Sequence, residues 1–132
     1  MITPKAFFPV LVTDQLDGCK QFFVSIFGFE PVFETDWYVH LVHRNGAQLG
    51  FLIPDHPSQP SVLRSRFADS GMIYSFEVDS VDNAYAELKK EDTQILLDPK
   101  TEEWGQRHFL IAGPSGIVVD VIENVDPSLN IT

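Results

Sequence analysis

Residues 5–29, KAFFPVLVTDQLDGCKQFFVSIFGF, decide the fold of this chain. Residues 5–13 are rich in Phe and Val and predict a β-strand, and at Asp14 the pattern changes from period two to helical period. The predicted helix carries one apolar stripe, formed by Leu16, Cys19, Phe22, Phe23, Ile26 and Phe27. We expect Asp14 or Asp17 to cap its first turn, and Gly28 to end it in the left-handed conformation.

The order strand, helix and three strands occurs twice in the sequence. After the first helix, strands are predicted at residues 29–34, 37–43 and 47–53, and the Asn-Gly pair at residues 45–46 predicts an antiparallel hairpin. The second copy has a strand at residues 72–79, then a helix that Ser80 can cap, with Val81, Ala84, Tyr85 and Leu88 on one face. Three further strands follow at residues 94–97, 108–112 and 117–123.

Two βαβββ repeats are therefore predicted, at about residues 5–53 and 72–123. The Pro-rich segment 54–70 between them reads as a connector without secondary structure. Each repeat is too small to bury both faces of its own sheet, so we expect the two to share a core in one domain, residues 1–132.

Composition restricts the class of partner. The chain has 132 residues, 44% of them hydrophobic, with 9 basic and 19 acidic side chains and a formal net charge of -10. Residues 1–66 carry five basic and six acidic side chains, whereas residues 67–132 carry four and thirteen. Nucleic acids and anionic membranes are excluded as partners because they require clustered cations, while a cationic small molecule is compatible with this balance.

Cellular location is predicted from two further features. Cys19 is the only cysteine and cannot form an internal disulfide, and the chain does not open on a secretory leader. No apolar run approaches the roughly twenty residues that cross a bilayer. We therefore expect a cytoplasmic protein that does not span a membrane.

Three segments carry a resemblance to a known superfamily. They are FPVLVTD at residues 8–14, FEVDSVD at residues 76–82, and WGQR at residues 104–107, which leads to GPSG at residues 113–116. Together with the repeated βαβββ order they resemble the glyoxalase, bleomycin-resistance and extradiol-dioxygenase superfamily, also called vicinal oxygen chelate proteins, over almost the whole chain. The resemblance implies an α+β fold in which the two repeats form an open, curved mixed sheet. It also implies a ligand in the concave cavity and a homodimer.

The same resemblance locates the positions of metal ligands. Metal-dependent members place ligands on the first strand of each repeat and a carboxylate on the last strand of a repeat. In this sequence the positions fall on Phe7, Ile73 and Asp120. Because Phe and Ile have no donor atom and a divalent metal needs three or four ligands, we predict no bound metal and no other cofactor.

The histidines leave one alternative open. His40 and His43 lie at odd separation on one predicted strand, so their side chains should point to opposite faces. A rearranged metal site would use His40 or His108 together with Gln48 and Asp120.

An aromatic pocket without a metal suits ligand binding rather than catalysis. The candidate ligand-binding residues are Phe7, Trp37, Phe51, Trp104, Arg107, Phe109 and Asp120. The two Trp side chains are predicted to stack on a planar or cationic ligand, and the three Phe side chains to form apolar walls, although most aromatic residues of such a chain belong to its core.

Two charged candidates have competing interpretations. Asp120 lies among valines, so its carboxylate is expected either to be paired or directed into the cavity, or to face water on an amphipathic strand. Arg107 is expected either to bind a ligand carboxylate or to neutralise Glu102 and Glu103.

The leading hypothesis is a metal-independent protein of the bleomycin-resistance type, which sequesters a hydrophobic or cationic small molecule in a cavity between the repeats. No catalytic residue is predicted, because the sequence has neither a nucleophile elbow nor a phosphate-binding loop. The alternatives are a lyase or dioxygenase of the same superfamily with a displaced metal, and a pure interaction module.

Overall fold

The computed structural model describes residues 1–68 and 70–126, and all structural statements below refer to them. The chain divides into two compact units, Met1–Ala68 and Asp69–Thr132. Each unit has the order strand, helix and three strands, and each contains one four-stranded mixed sheet. The predicted α+β class and the repeated βαβββ module are confirmed.

The first unit contains one helix and one sheet. Its elements are β1 (Val10–Val12), α1 (Leu16–Phe27), β2 (Glu30–Glu34), β3 (Tyr38–Val42) and β4 (Gln48–Leu52). The strand order is β1-β4-β3-β2, in which β1 runs parallel to β4 and the other pairs are antiparallel. The first strand is shorter than predicted, since only three residues of segment 5–13 pair with β4.

Helix α1 ends as predicted but begins differently. Gly28 adopts the left-handed conformation, with φ of 74°, and its N–H caps the last turn. The predicted aspartate cap is wrong, because Gln15 occupies the cap position and no side chain caps the helix. Instead, the Gln15 N–H donates to Oγ1 of the buried Thr13 at 3.0 Å. Cys19 and Phe23 of the apolar stripe are fully buried.

The connector carries more structure than the sequence predicts. A 3-10 turn forms at Ser61–Leu63. The Arg64 side chain holds the preceding loop together by donating from Nε to the Gln59 carbonyl at 2.7 Å and from Nη2 to the Pro57 carbonyl at 3.3 Å. Further on, the Phe67 N–H donates to the carbonyl of Val12 in β1 at 2.9 Å. The connector is thus attached to the first sheet.

The second unit repeats the arrangement of the first. Its elements are β5 (Tyr74–Glu77), α2 (Val81–Leu88), β6 (Gln94–Thr101), β7 (Gln106–Ala112), a 3-10 turn at Pro114–Gly116, and β8 (Val118–Asn124). The strand order is β5-β8-β7-β6, with β5 parallel to β8.

Two features of the second unit can be compared with the predictions from sequence. The predicted Ser80 cap is confirmed, since its side chain accepts from the Asn83 N–H at 3.2 Å. Strand β6 is longer than predicted and includes Pro99. An edge strand tolerates proline because one side of its backbone needs no partner, and β6 lies at the edge of its sheet. No helix in the described part of the chain has the length and apolarity to cross a bilayer.

Candidate functional site

In each unit, the helix covers one face of the sheet, and we call the opposite face the open face. Alternation along β3 and β4 sends Val39, Leu41 and Phe51 towards α1, where they are buried. The intervening residues Tyr38, His40, Gln48, Gly50 and Leu52 therefore line the open face of the first sheet.

A cavity of about 430 Å³ lies on this open face. Its walls are apolar and aromatic and come from all four strands, the β2–β3 turn and the connector. The lining residues are Val10, Val12, Phe33, Trp37, Tyr38, Leu52, Gln59 and Leu63. The cavity is built entirely within the first unit.

Trp37 joins the connector to the sheet at this cavity. Its indole stacks on the imidazole of His56, with ring centroids 4.1 Å apart and planes 13° from parallel. The His56 imidazole is in turn bonded through Nδ1 to the Ser58 hydroxyl at 2.7 Å. Trp37 was predicted to contact the ligand, and it does line the cavity, although one ring face is already occupied by His56.

Three side chains on the open face, Tyr38, His40 and Gln48, are joined in series by hydrogen bonds. The Tyr38 hydroxyl lies 2.8 Å from Nδ1 of His40, and Nε2 of His40 lies 2.7 Å from Oε1 of Gln48. The ring of Phe8 packs edge-on against His40, with centroids 4.5 Å apart. Burial raises the pKa of Tyr38, so its phenol is neutral at physiological pH.

Gly50 makes room for the Tyr38 ring. A β-carbon at position 50 would collide with the Tyr38 hydroxyl oxygen and would lie 3.0 Å from Cζ of the same ring. A side chain there is therefore incompatible with the observed position of Tyr38.

The remaining predicted residues of the first unit lie outside this cavity. Phe7 is 86% exposed and is not among the lining residues. Phe51 was predicted as a ligand wall, but it is fully buried beneath α1 and stacks on Phe23, with centroids 5.8 Å apart. It faces α1 because it lies one residue out of phase with Gly50 and Leu52 on β4, so it is a core residue.

The open face of the second sheet is polar and ionisable. Nδ1 of His108 lies 2.8 Å from Oδ1 of Asp120, and Nε2 lies 2.9 Å from Oε2 of Glu102. Lys100 approaches the other oxygen of Glu102 at 3.2 Å. Of the interpretations considered for Asp120, pairing is the one observed.

The two carboxylates control the charge of this histidine. Burial lowers the pKa of His108, but the hydrogen bonds and charges of Glu102 and Asp120 outweigh it and raise the pKa above its usual value. The hydrogen bond from His108 is the largest influence on Glu102 and lowers its pKa. Burial raises this pKa by less, and Lys100 lowers it further.

Trp104 and Phe109 occupy different environments. Trp104 is 54% exposed, and its Nε1–H donates to Gln106 at 3.0 Å. Phe109 is fully buried against Tyr85 of α2 and is a core residue rather than a ligand wall.

Arg107 points towards α2, where Nη2 and Nε donate to Asp82 at 2.9 and 3.1 Å. The expected neutralisation of Glu102 and Glu103 by Arg107 is therefore wrong for Glu102, which is paired with His108 and Lys100 instead. Arg107 lies on the helix side of β7, one residue out of phase with His108.

The residues at the superfamily's metal positions do not fit a metal. Phe7 and Ile73 offer no donor atom, and the Asp120 carboxylate is bound to His108. Within residues 1–68 and 70–126 there is no group of three His, Cys, Asp or Glu side chains arranged to hold a metal ion. Of the residues considered from the sequence for a rearranged site, His40 is bonded to Gln48 in the first unit and His108 to Asp120 in the second.

The sequence did not indicate several residues of the cavity. Tyr38 was missed, although it shares a face of the predicted strand 37–43 with His40. Gln59 and Leu63 were missed because the connector was expected to carry no element. The alternation on β3 could have found Tyr38, whereas no local pattern marks the connector residues.

A smaller cavity of about 270 Å³ lies where α1 ends. It is lined by Gly28, Glu30, Val42, His43 and Arg44. Its walls carry side chains of both charge signs, so it does not suit an apolar ligand.

Comparisons with known proteins give one family and one fold. The model of the glyoxalase/bleomycin resistance protein/dioxygenase superfamily matches residues 7–121. No curated protein matches the chain. A glyoxalase/bleomycin resistance protein/dioxygenase from Nocardioides has a similar structure, with a TM-score of 0.78 at 16% identity, over 96% of this chain and 87% of that one.

Two further solved structures have the same fold. Lactoylglutathione lyase from Agrobacterium tumefaciens matches with a TM-score of 0.69 at 22% identity, over 91% of this chain and 94% of that one. A glyoxalase/bleomycin resistance protein/dioxygenase from Alicyclobacillus acidocaldarius matches with a TM-score of 0.70 at 17% identity, over 98% and 99%. At these identities the likeness concerns the fold alone.

Proposed function

Because the chain belongs to the glyoxalase/bleomycin resistance protein/dioxygenase superfamily, we propose that it binds a hydrophobic small molecule without a metal, as the bleomycin-resistance branch does. The observation that carries this proposal is the apolar cavity on the open face of the first sheet. Its volume of about 430 Å³ lies within the range of pockets that hold drug-sized ligands.

The chemistry of the cavity wall supports capture by burial of apolar surface. Phe33, Trp37 and Tyr38 supply aromatic surface, and Val12 and Leu52 supply aliphatic surface. Removing apolar ligand surface from water is favourable by about 25 cal/mol per Å² before the costs of association. Of these five side chains only Tyr38 is titratable, and burial raises its pKa, so its phenol stays neutral.

The rival function, a metal-dependent lyase or oxygenase, has less support. Its metal would need donors at Phe7 and Ile73, or the separation of His108 from both of its carboxylate partners. An antibiotic ligand, homodimer formation and a cytoplasmic location stay predictions.

A dye titration tests the proposal. Nile red, a neutral apolar dye, is expected to bind the protein with increased fluorescence and one-site stoichiometry. Leu63→Trp should fill part of the cavity from the connector side and weaken binding about tenfold, equivalent to about 1.4 kcal/mol.

The matched control is Val62→Trp. Val62 adjoins Leu63, is 82% exposed and does not line the cavity, so this variant should bind Nile red as the wild type does. Equal binding by both variants and the wild type would place the dye elsewhere and contradict the proposal. Stoichiometric metal in the purified protein, with binding lost on chelation, would favour the rival function.

A further inference from the structure

The connector contributes one wall of the cavity through loop 55–64, which closes on itself. The Asp55 N–H donates to the Arg64 carbonyl at 3.0 Å, so the two ends of the loop are bonded to each other. Gln59 and Leu63 are the residues of this loop that line the cavity. Their positions in the wall therefore depend on how the loop is folded.

The Arg64 side chain braces this loop. Nε donates to the Gln59 carbonyl at 2.7 Å, and Nη2 donates to the Pro57 carbonyl at 3.3 Å. A guanidinium can hold two acceptors at once because its N–H donors form a rigid, planar fork. Gln59, one of the two acceptors, is itself a lining residue, and Leu63 directly precedes Arg64 in the chain. The brace thus acts on both lining residues of the loop.

The loop meets the sheet at Trp37. His56 of the loop stacks on the Trp37 indole with ring centroids 4.1 Å apart, and Trp37 lines the same cavity. Just before the loop, the Ile53 N–H donates to the Trp37 carbonyl at 3.0 Å. The Trp37 ring therefore reports where the loop lies, because the imidazole covers one face of the indole only while the loop is in place.

We propose that Arg64 is a positioning residue for ligand capture, because its brace holds Gln59 and Leu63 in the cavity wall before a ligand binds. This inference rests on the function proposed above and concerns the same cavity. Arg64 is not among the lining residues, so it acts through those that are.

Preorganisation is the physical reason for the expected effect. A loop that is already folded loses little conformational freedom on binding, whereas a loose loop must be ordered at that moment. Each side chain that binding must order corresponds to about two- to tenfold in affinity. Without the brace the cavity would keep its lining side chains but would bind an apolar ligand more weakly.

Nile red titrations of Arg64 variants test the proposal. Arg64→Ala should bind the dye about two- to tenfold more weakly than the wild type. Arg64→Lys keeps a cationic donor but not the fork, so its affinity should lie between those two. Arg44→Ala is the matched control, because Arg44 is exposed between β3 and β4 and does not line this cavity. This variant should bind Nile red as the wild type does.

The fluorescence of Trp37 separates positioning from a loss of folding. Trp37 and Trp104 are the only tryptophans, and Trp104 does not line the cavity, so Trp104→Phe leaves Trp37 as the single reporter. In this background and without dye, Arg64→Ala should increase the quenching of Trp37 by acrylamide, whereas Arg44→Ala should not change it. Thermal melts set a temperature at which every variant is folded, and Arg64→Lys carries the comparison if Arg64→Ala does not fold.

The outcomes separate this inference from the function on which it rests. If the wild type binds Nile red and the folded Arg64→Ala variant binds it equally well, the inference is wrong and the binding function stands. Weaker binding with unchanged quenching of Trp37 would also overturn the inference, because the loop would then have kept its place. If the wild type itself does not bind Nile red, the function proposed above is wrong and the inference falls with it.

Discussion

Nδ1 of His108 lies 2.8 Å from a carboxylate oxygen of Asp120, across neighbouring strands β7 and β8. The other ring nitrogen is bonded to Glu102, so both nitrogens face carboxylates. Ionised carboxylates only accept hydrogen bonds, and a neutral imidazole donates only one, so this geometry favours a charged imidazolium. His108 on β7 is thereby bonded to β8 and to the turn between β6 and β7 through two charge-assisted hydrogen bonds.

The charge of His108 predicts how stability depends on pH. Its native pKa is raised above the ordinary value of 6.5, so protonation favours the folded state. This contribution is complete below the unfolded-state pKa and is lost as the pH rises through the native pKa. In urea denaturation, the free energy of unfolding should fall as the pH is raised above about 6.5, and His108→Gln should lack this part of the decline. Identical pH profiles for the two proteins would contradict the assignment.

Removal of the Asp120 carboxylate should lower both the pKa of His108 and the stability of the fold. Asp120→Ala takes away one acceptor from His108, so the imidazole pKa, followed by NMR titration, should be lower than in the wild type. The free energy of unfolding near pH 6 should fall by about 1.5–3 kcal/mol, the range for hydrogen bonds to charged groups. Ser75→Ala is the control, because Ser75 lies on β5 opposite Asp120 of β8 and is exposed. Its effect on the free energy of unfolding should stay within about 0.5 kcal/mol. Equal effects of the two substitutions would show that the His108 contact contributes nothing.

The features that the sequence predicts correctly are encoded within a single helix or at its ends. Helix α1, its end at Gly28 and the cap at Ser80 follow from patterns within one element, and the structure has them. The predicted aspartate cap of α1 is absent, because Gln15 occupies the cap position and the Thr13 hydroxyl accepts from its N–H.

The site was harder to predict because its residues are adjacent only in the folded chain. Phe51 lies in a strand with apolar side chains on both faces, LGFL, where alternation does not tell which face the helix covers. The cavity needs Leu63 and Gln59 from the connector, which Arg64 braces internally and which the Phe67 N–H joins to the Val12 carbonyl in β1. No sequence pattern within the connector encodes that attachment.

Two of the three phenylalanines that were predicted alike should behave differently on truncation. Phe51→Ala removes a fully buried ring beneath α1 and should cost about 3–5 kcal/mol in the free energy of unfolding. Phe7→Ala removes a ring that is 86% exposed and should cost less than about 0.5 kcal/mol. Chemical denaturation measures both. A large loss of stability from Phe7→Ala would mean that this ring is buried in the native protein in solution.

Gly50 should be needed for the position of Tyr38. Gly50→Ala places a methyl group against the Tyr38 hydroxyl and ring, so it should destabilise the protein by about 1–3 kcal/mol and displace the ring from His40. A double-mutant cycle separates this clash from other effects of the added methyl group. In a Tyr38→Ala background the cost of Gly50→Ala should be smaller, and what remains should reflect the nearby Val10 side chain, 3.0 Å from the added carbon. The same cost in both backgrounds would show that the methyl group and the Tyr38 ring do not compete for space.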